Sequence, residues 1–117
     1  MGKIKVINTM ELDPIEMEGL GDNVVVRPAI GPAQGSNRIQ ILHSIVEEGF
    51  EGEAVPSEGQ DEVAYVISGE VELESGGTRH RLGPGSLFFV PPKTTYKYRV
   101  IKGPHEVIGI FSPPAQE

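Results

Sequence analysis

The chain has 117 residues, a formal net charge of −7 and no cysteine. This length fits one domain with its own core, and the acidic excess opposes nucleic acid binding, which depends on lysine and arginine neutralising phosphates. The absence of thiols excludes disulfides, cysteine nucleophiles and cysteine-ligated metals, and no run of about 18 apolar residues marks a membrane span. We therefore predict a cytoplasmic protein that binds neither nucleic acid nor membrane.

The first third of the chain predicts short strands separated by loops. Residues 3–7 are read as an edge strand with its lysines on one face, and residues 24–27 as a short strand. Two prolines and two glycines make residues 28–37 a loop. Residues 38–46 alternate in the manner of a strand, and one face of that strand carries Ile39, Ile41, His43 and Ile45.

Residues 70–82 predict a β-hairpin with a defined register. Three glutamates at positions 70, 72 and 74 alternate with two apolar residues, and Gly76-Gly77 supplies a two-residue turn. Pairing about that turn sets Glu74 opposite Arg79 and Glu72 opposite Arg81. Each such oppositely charged pair contributes about 0.2–1 kcal/mol, so the charge pattern selects this register.

The remaining segments complete an all-β pattern. Residues 49–59 are predicted to be a loop, and strands are predicted at 62–68, 86–90, 96–101 and 106–111. Strands at such regular spacing are typical of sandwiches and barrels. We predict one domain over residues 1–117, with N-terminal strands and a loop at 1–37, a core at 38–112 and a tail at 113–117.

Two segments carry a family resemblance. In residues 61–70, six residues separate Glu62 from Gly69, and in residues 82–91, five residues separate Gly85 from Pro91. These spacings resemble parts of the two cupin motifs, and the resemblance extends over residues 38–112. It implies a double-stranded β-helix, the jelly-roll barrel of the cupin family.

The same comparison implies that most of the family's metal ligands are replaced. The family's first two histidines fall at Val55 and Ser57, or in a shorter register at Pro56 and Glu58. Tyr96 stands at the position of the last histidine, so only Glu62 remains. Imidazoles suit Fe, Mn, Ni or Zn, whereas a neutral phenol is a poor ligand. We therefore predict no metal and no cofactor, with a sparse divalent-metal site at Glu62, Glu58 and His43 left open as an alternative.

The candidate site residues follow from the resemblance and from strand parity. Glu62, Tyr96 and His43 are the candidate catalytic residues; His43 lines the lumen if its face turns inward and is otherwise a core histidine. Glu62 is alternatively a remnant of the fold, hydrogen-bonded to Tyr96 or Tyr98. His80 is read as a rim or surface residue. The candidate ligand-binding residues are Tyr98, Ser57, Glu58 and His105.

Three functions remain open from the sequence. The first is a metal-independent isomerase, epimerase or lyase acting on a small organic molecule, with a buried carboxylate and tyrosines in proton transfer. The second is a non-catalytic ligand-binding or sensing cupin, and the third is a metallo-cupin with non-standard ligands. Because sheet edges need covering, we also predict a homodimer in which the N-terminal segment pairs across subunits.

Overall fold

The computed structural model of the protein describes residues 2–15, 23–54 and 56–114. Two single-turn 3-10 helices lie at Thr9–Glu11 and Pro32–Gln34. The strands of these ranges are β1 (Val24–Ile30), β2 (Gln40–Val46), β3 (Glu51–Ala54), β4 (Asp61–Ser75), β5 (Thr78–Leu82), β6 (Leu87–Val90) and β7 (Tyr96–Ser112). No helix in these ranges is long and apolar enough to cross a membrane.

Two long antiparallel strands, β4 and β7, organise the molecule. The second half of β7 pairs with β2, which pairs with β1, and the first half of β4 pairs with β6. These strands form the large sheet, in the order β1-β2-β7-β4-β6. The other halves of β7 and β4 pair with β3 and β5, which gives the small sheet, in the order β3-β7-β4-β5. The two sheets therefore share their central strands.

The shared strands bend where their pairing register shifts, between Val66 and Val71. Gly69 lies in this bend with a φ of 81°, a conformation that only glycine adopts without strain. A Cβ at Gly69 would lie 2.6 Å from the carbonyl oxygen of Lys102. The bend brings the inner faces of both sheets together, and Val66, Val71 and Val100 are buried between them.

The predicted hairpin register is confirmed, with Glu74 opposite Arg79 and Glu72 opposite Arg81. However, the side-chain ion pairs do not all join residues that lie directly opposite each other. Arg79 lies 3.5 Å from Glu74, whereas Arg81 reaches back to Glu70 at 2.7 Å. Register alone does not decide which carboxylate a long arginine side chain contacts.

Five element predictions need correction, the first being that the strand at 62–68 and the first strand of the hairpin are one strand, β4. Residues 3–7 form no strand. β1 continues past Arg27 to Ile30, since proline is tolerated in a strand at the sheet edge. β3 lies inside the predicted loop 49–59, and the two strands predicted at 96–101 and 106–111 are one strand, β7. Part of the predicted tail, residues 115–117, lies outside the described residues.

Candidate functional site

An apolar cavity opens between β5 and β6, with a volume of ≈ 320 Å³. Its walls come from inward-facing residues of both sheets and from the loop before β7, and the exposed side chains of Leu87 and Phe89 lie at its edge. Aliphatic and aromatic side chains predominate, with few polar groups among them. The lining residues are Leu73, Ser75, His80, Leu82, Leu87, Phe88, Phe89, Val90, Thr94 and Tyr96. We call this cavity the lumen.

A smaller cleft of ≈ 60 Å³ adjoins the lumen. Val90, Thr94 and Tyr96 line both spaces, so they separate the cleft from the lumen. The cleft also receives Glu62 and Phe111. A carboxylate therefore lies in a small cleft beside the lumen, although it does not line the lumen itself.

Glu62 is positioned by the first half of β4, opposite Val90 on β6 and Phe111 on β7. These apolar neighbours desolvate the carboxylate, and burial raises the pKa of Glu62. The hydrogen bonds described for it come from the Tyr96 hydroxyl, which lies 3.4 and 3.5 Å from its two oxygens. These bonds are long, so they offset only part of the desolvation and the carboxylate remains poorly solvated.

Tyr96 keeps its proton at neutral pH. Burial, followed by the charge of Glu62, holds the pKa of its phenol well above the ordinary 10.0. The ring contacts Phe88 of the large sheet edge-on, with centroids 6.0 Å apart. Tyr96 is therefore a fixed hydrogen-bond donor beside a carboxylate of raised pKa.

Tyr98 lies beside Tyr96, with ring centroids 6.1 Å apart. Its ring also packs on Phe50, and its hydroxyl lies over Gly52, where a Cβ would come within 2.8 Å. Burial raises the pKa of Tyr98, and the nearby Glu62 charge adds to the effect. Tyr98 does not line the lumen or the cleft, and instead borders a separate open cavity of ≈ 430 Å³ among charged residues of the small sheet.

The loop before β4 brings Ser57 to the cleft but not Glu58. The Ser57 hydroxyl donates to the Gln60 carbonyl at 3.0 Å and accepts from the Gln60 amide at 3.2 Å, which closes a turn. Glu58 is exposed and lines neither the cleft nor the lumen. Val55 lies outside the described residues.

His43 lies on the outer face of the large sheet but is only 2% exposed, so the expectation that it lines the lumen needs correction and the alternative of a buried core histidine fits the structure. His43 lies opposite Ile108, and Ile108 lies opposite Tyr65, so these three side chains point to the same face of the sheet. The next residue of β4, Ala64, points inward and is buried, so Tyr65 and His43 point outward. The His43 Nε2 atom lies 2.5 Å from the Glu106 carboxylate. The structure therefore does not bring His43 to Glu62.

His105 points inward but lies at the bend, away from the lumen. It is 5% exposed, and its Nδ1 is 3.1 Å from the Ser68 carbonyl oxygen. Burial lowers the pKa of His105, so the ring is neutral and donates to that carbonyl. Its hydrogen bond stabilises the bend, and the structure does not bring it to the predicted ligand site.

Sequence reasoning missed several residues that line these spaces. His80 is not among them, because it is exposed at the edge of the lumen, in agreement with its predicted rim or surface position. Thr94 and Gln60 lie in loops, where the alternation of side chains along a strand does not show which residues point inward. Phe88 follows a turn in a short strand whose two faces are both apolar.

The donor set does not fit a cupin-type metal. Within residues 2–15, 23–54 and 56–114, no three His, Asp or Glu side chains form a group that would hold a metal ion. Glu62 has a neutral phenol beside it, while Glu58 and His43 point elsewhere. The alternative site of Glu62, Glu58 and His43 is therefore not assembled.

Comparisons with known proteins agree with the architecture. The family model described as a cupin domain matches residues 42–111, close to the predicted core at 38–112. An uncharacterized protein of Streptomyces coelicolor is 34% identical over 55 residues, which cover 47% of this chain and 52% of that protein. The chain thus spans about half the length of the curated relative it matches.

Two solved structures show the fold. KdgF from Halomonas sp. superimposes with a TM-score of 0.83 at 22% identity, covering 97% of each chain. Ectoine synthase from P. lautus gives a TM-score of 0.79 at 19% identity, covering 97% of this chain and 80% of that one. The predicted double-stranded β-helix is confirmed.

Proposed function

The chain belongs to the cupin family, and we propose that it binds a small organic molecule in the lumen and uses Glu62 beside it as a metal-independent general base. One observation carries this proposal. Glu62 is a half-buried carboxylate in the small cleft next to the apolar lumen, and the hydrogen bonds described for it are long and come from Tyr96. A carboxylate retained only for stability would have better partners.

The pair of groups suits proton transfer next to a carbonyl. A base of raised pKa accepts the proton from the carbon beside the carbonyl more readily than an ordinary carboxylate does. The electron pair of that C–H bond moves into an enolate, whose oxygen gains negative charge. The protonated phenol of Tyr96 donates a hydrogen bond to such an oxygen and stabilises it. Return of the proton from Glu62 gives an isomer or epimer, and loss of a leaving group gives a lyase product.

The lumen restricts the substrate class. Its walls are mainly aliphatic and aromatic, and the adjoining cleft holds the carboxylate of Glu62. A substrate carboxylate would be repelled by Glu62 and poorly solvated by Leu73, Leu82 and Phe88. We therefore propose a neutral carbonyl compound with an apolar body. The activities of KdgF and ectoine synthase are not transferred, because identities near 20% show the fold alone.

The test is exchange of carbon-bound protons in deuterated water. Cyclohexanone and indanone serve as probes, with binding followed by chemical-shift changes of protein amides and exchange by loss of the ketone proton signal. We expect binding with faster exchange in the native protein, and binding without that acceleration in Glu62→Gln. Ser57→Ala is the matched control, because Ser57 lines the same cleft but its hydroxyl is used in a turn.

Other outcomes overturn parts of the proposal. If the native protein binds a ketone but does not accelerate its proton exchange, the general-base role of Glu62 is wrong and the protein is a non-catalytic ligand-binding cupin. No binding of either ketone contradicts the neutral-carbonyl assignment. Near-stoichiometric Fe, Mn, Ni or Zn in protein purified without chelator contradicts metal independence.

Three broader expectations belong to this proposal. The chain is expected to act as one cupin domain over residues 1–117, since strands from both ends of the described ranges join the same pair of sheets. It is expected to be cytoplasmic, which its lack of cysteine permits. It is also expected to be a homodimer.

A further inference from the structure

We propose that His80 binds a second polar group of the substrate at the mouth of the lumen, the opening between β5 and β6. The molecule taken is then a neutral carbonyl compound with a hydroxyl group beyond its apolar body. This role rests on the proposed function, since the lumen is taken as the substrate site. It does not depend on proton transfer by Glu62, because His80 contacts the other end of the molecule.

His80 reaches the lumen from the inner face of β5. It lies opposite Leu73 of β4, and Leu73 is buried and lines the lumen. Residues directly opposite each other in an antiparallel pair point to the same face of the sheet, so the imidazole points inward as well. His80 is nevertheless exposed, because β5 pairs with β4 alone in the described part of the chain. The ring therefore lies where the lumen meets solvent.

The other polar side chains of the lumen wall already have partners. The Ser75 hydroxyl donates to the Thr95 carbonyl at 2.8 Å, and the Thr94 hydroxyl donates to a carbonyl two residues before it at 3.3 Å. The Tyr96 hydroxyl is directed at the carboxylate of the cleft. Within the residues that the structure describes, the His80 side chain makes no hydrogen bond and no ion pair. Its ring nitrogens are therefore free to bind a ligand.

The charges on either side of this imidazole do not reach the mouth. Arg79 and Arg81 are its neighbours along β5, so they point to the outer face of the strand. There they lie 3.5 Å from Glu74 and 2.7 Å from Glu70. The mouth thus offers an imidazole without an adjacent guanidinium. A neutral imidazole has one donor and one acceptor nitrogen, which suits a hydroxyl group better than a carboxylate.

The strand order sets the spacing between the two polar ends of the ligand. Tyr96 lies on β7 and His80 on β5, and β4 runs between them with Leu73 in the wall of the lumen. Because neighbouring strands lie about 4.8 Å apart, two spacings put about 10 Å between β7 and β5. A ligand that contacts both residues therefore has an apolar body between its carbonyl and its hydroxyl group.

Pairs of ketones that differ by one hydroxyl group test this contact. Cyclohexanone is compared with 4-hydroxycyclohexanone, and 1-indanone with its 5-hydroxy and 6-hydroxy derivatives, by chemical-shift titration of protein amides. We expect at least one hydroxylated ketone to bind about two- to tenfold more tightly than its parent, which is the gain from one net hydrogen bond. 4-Oxocyclohexanecarboxylate should bind more weakly than 4-hydroxycyclohexanone.

Two substitutions of His80 separate hydrogen bonding from packing. His80→Leu should abolish the gain from the hydroxyl group. His80→Gln should retain part of it, because a side-chain amide both donates and accepts. Thr78→Val is the matched control and should leave the gain unchanged, since Thr78 lies on the same face of β5 but does not line the lumen.

Three results would overturn the role of His80: no gain from the hydroxyl group on a parent ketone that binds, a gain that persists in His80→Leu, or tighter binding of the carboxylate. Failure of the proposed function looks different, because then neither parent ketone binds, and the role of His80 falls with it. A gain that depends on His80 but comes without faster proton exchange supports this contact and contradicts only the general-base role of Glu62.

Discussion

The bend and the cleft beside the lumen each hold a buried or half-buried titratable group, but only at the bend is that group well bonded. His105 lies 3.1 Å from the Ser68 carbonyl and packs against the backbone of Gly69. Glu62 has a phenol at 3.4–3.5 Å and borders open space. Burial penalises the charged form of both, lowering the pKa of His105 and raising that of Glu62.

This difference separates a structural polar group from a candidate functional one. Burial alone would single out either residue, and so would a shifted pKa. The distinguishing features of Glu62 are its long hydrogen bonds and its access to a cavity. We therefore propose that His105 stabilises the bend and that Glu62 takes part in binding and chemistry. Substitutions at both places test this difference.

The largest effect is expected at the bend, for Gly69→Ala. The new Cβ would meet the Lys102 carbonyl oxygen at 2.6 Å and the Pro104 carbonyl oxygen at 2.8 Å, at a φ of 81°. Loss of about 2–4 kcal/mol in the free energy of unfolding is expected. Urea denaturation measures it. Gly77→Ala is the control, because it has the same φ with nothing within 4 Å, and it should cost only about 1–2 kcal/mol.

The second effect is expected for His105→Leu. This variant leaves the buried Ser68 carbonyl without its side-chain donor and should cost about 1–3 kcal/mol. The native protein should also lose stability as pH falls from 6.5 through the lowered folded pKa of His105, because the unfolded state binds that proton more tightly. Urea titrations across this range should show that loss reduced in the variant. An unchanged pH dependence would contradict a neutral, buried His105.

The third effect has the opposite sign. The folded pKa of Glu62 is raised above 4.5, so its contribution to stability is full below 4.5 and is lost as pH rises through the folded value. Glu62→Gln removes that loss and should stabilise the protein by about 0.5–2 kcal/mol at neutral pH. Thermal unfolding measured with the variant and with Ser57→Ala tests this expectation. A destabilised Glu62→Gln would assign Glu62 to the structure of the barrel.

The smallest effect is expected at the hairpin pair of Glu74 and Arg79, which is 3.5 Å long and largely exposed. A double-mutant cycle with Glu74→Gln and Arg79→Gln should give a coupling below about 0.5 kcal/mol. High salt should reduce it further. A coupling that salt leaves unchanged would mean that the two side chains interact by packing and not by charge.

The sequence predicted the hairpin because its charge pattern is a local signal, and the cupin resemblance predicted that Glu62 bonds to Tyr96 or Tyr98, of which the structure has Tyr96. Charge alternation about Gly76-Gly77 permits one register, and the cupin spacing places a glutamate and a tyrosine where a ligand pair normally stands. The position of β3 was not predictable in this way, because its sequence is acidic, contains glycine and has no apolar face.

The orientation of His43 was not predictable, for a different reason. β2 carries apolar residues on both faces, with Ile41 and Ile45 on one and Leu42 and Val46 on the other. Periodicity therefore predicts a strand without showing which face turns inward. The pairing of β2 with β7 decides the orientation, and that contact is distant in sequence.

The most direct test of the central claim is a pH titration of the Glu62 side-chain carboxyl by carbon-13 NMR in metal-stripped protein, with Glu62→Gln to assign the signal. We expect a Glu62 pKa above 4.5 because burial disfavours the carboxylate, and a further rise in Tyr96→Phe because the phenol hydrogen bond opposes that shift. A Glu62 pKa at or below 4.5 would contradict the assignment of this residue as the base.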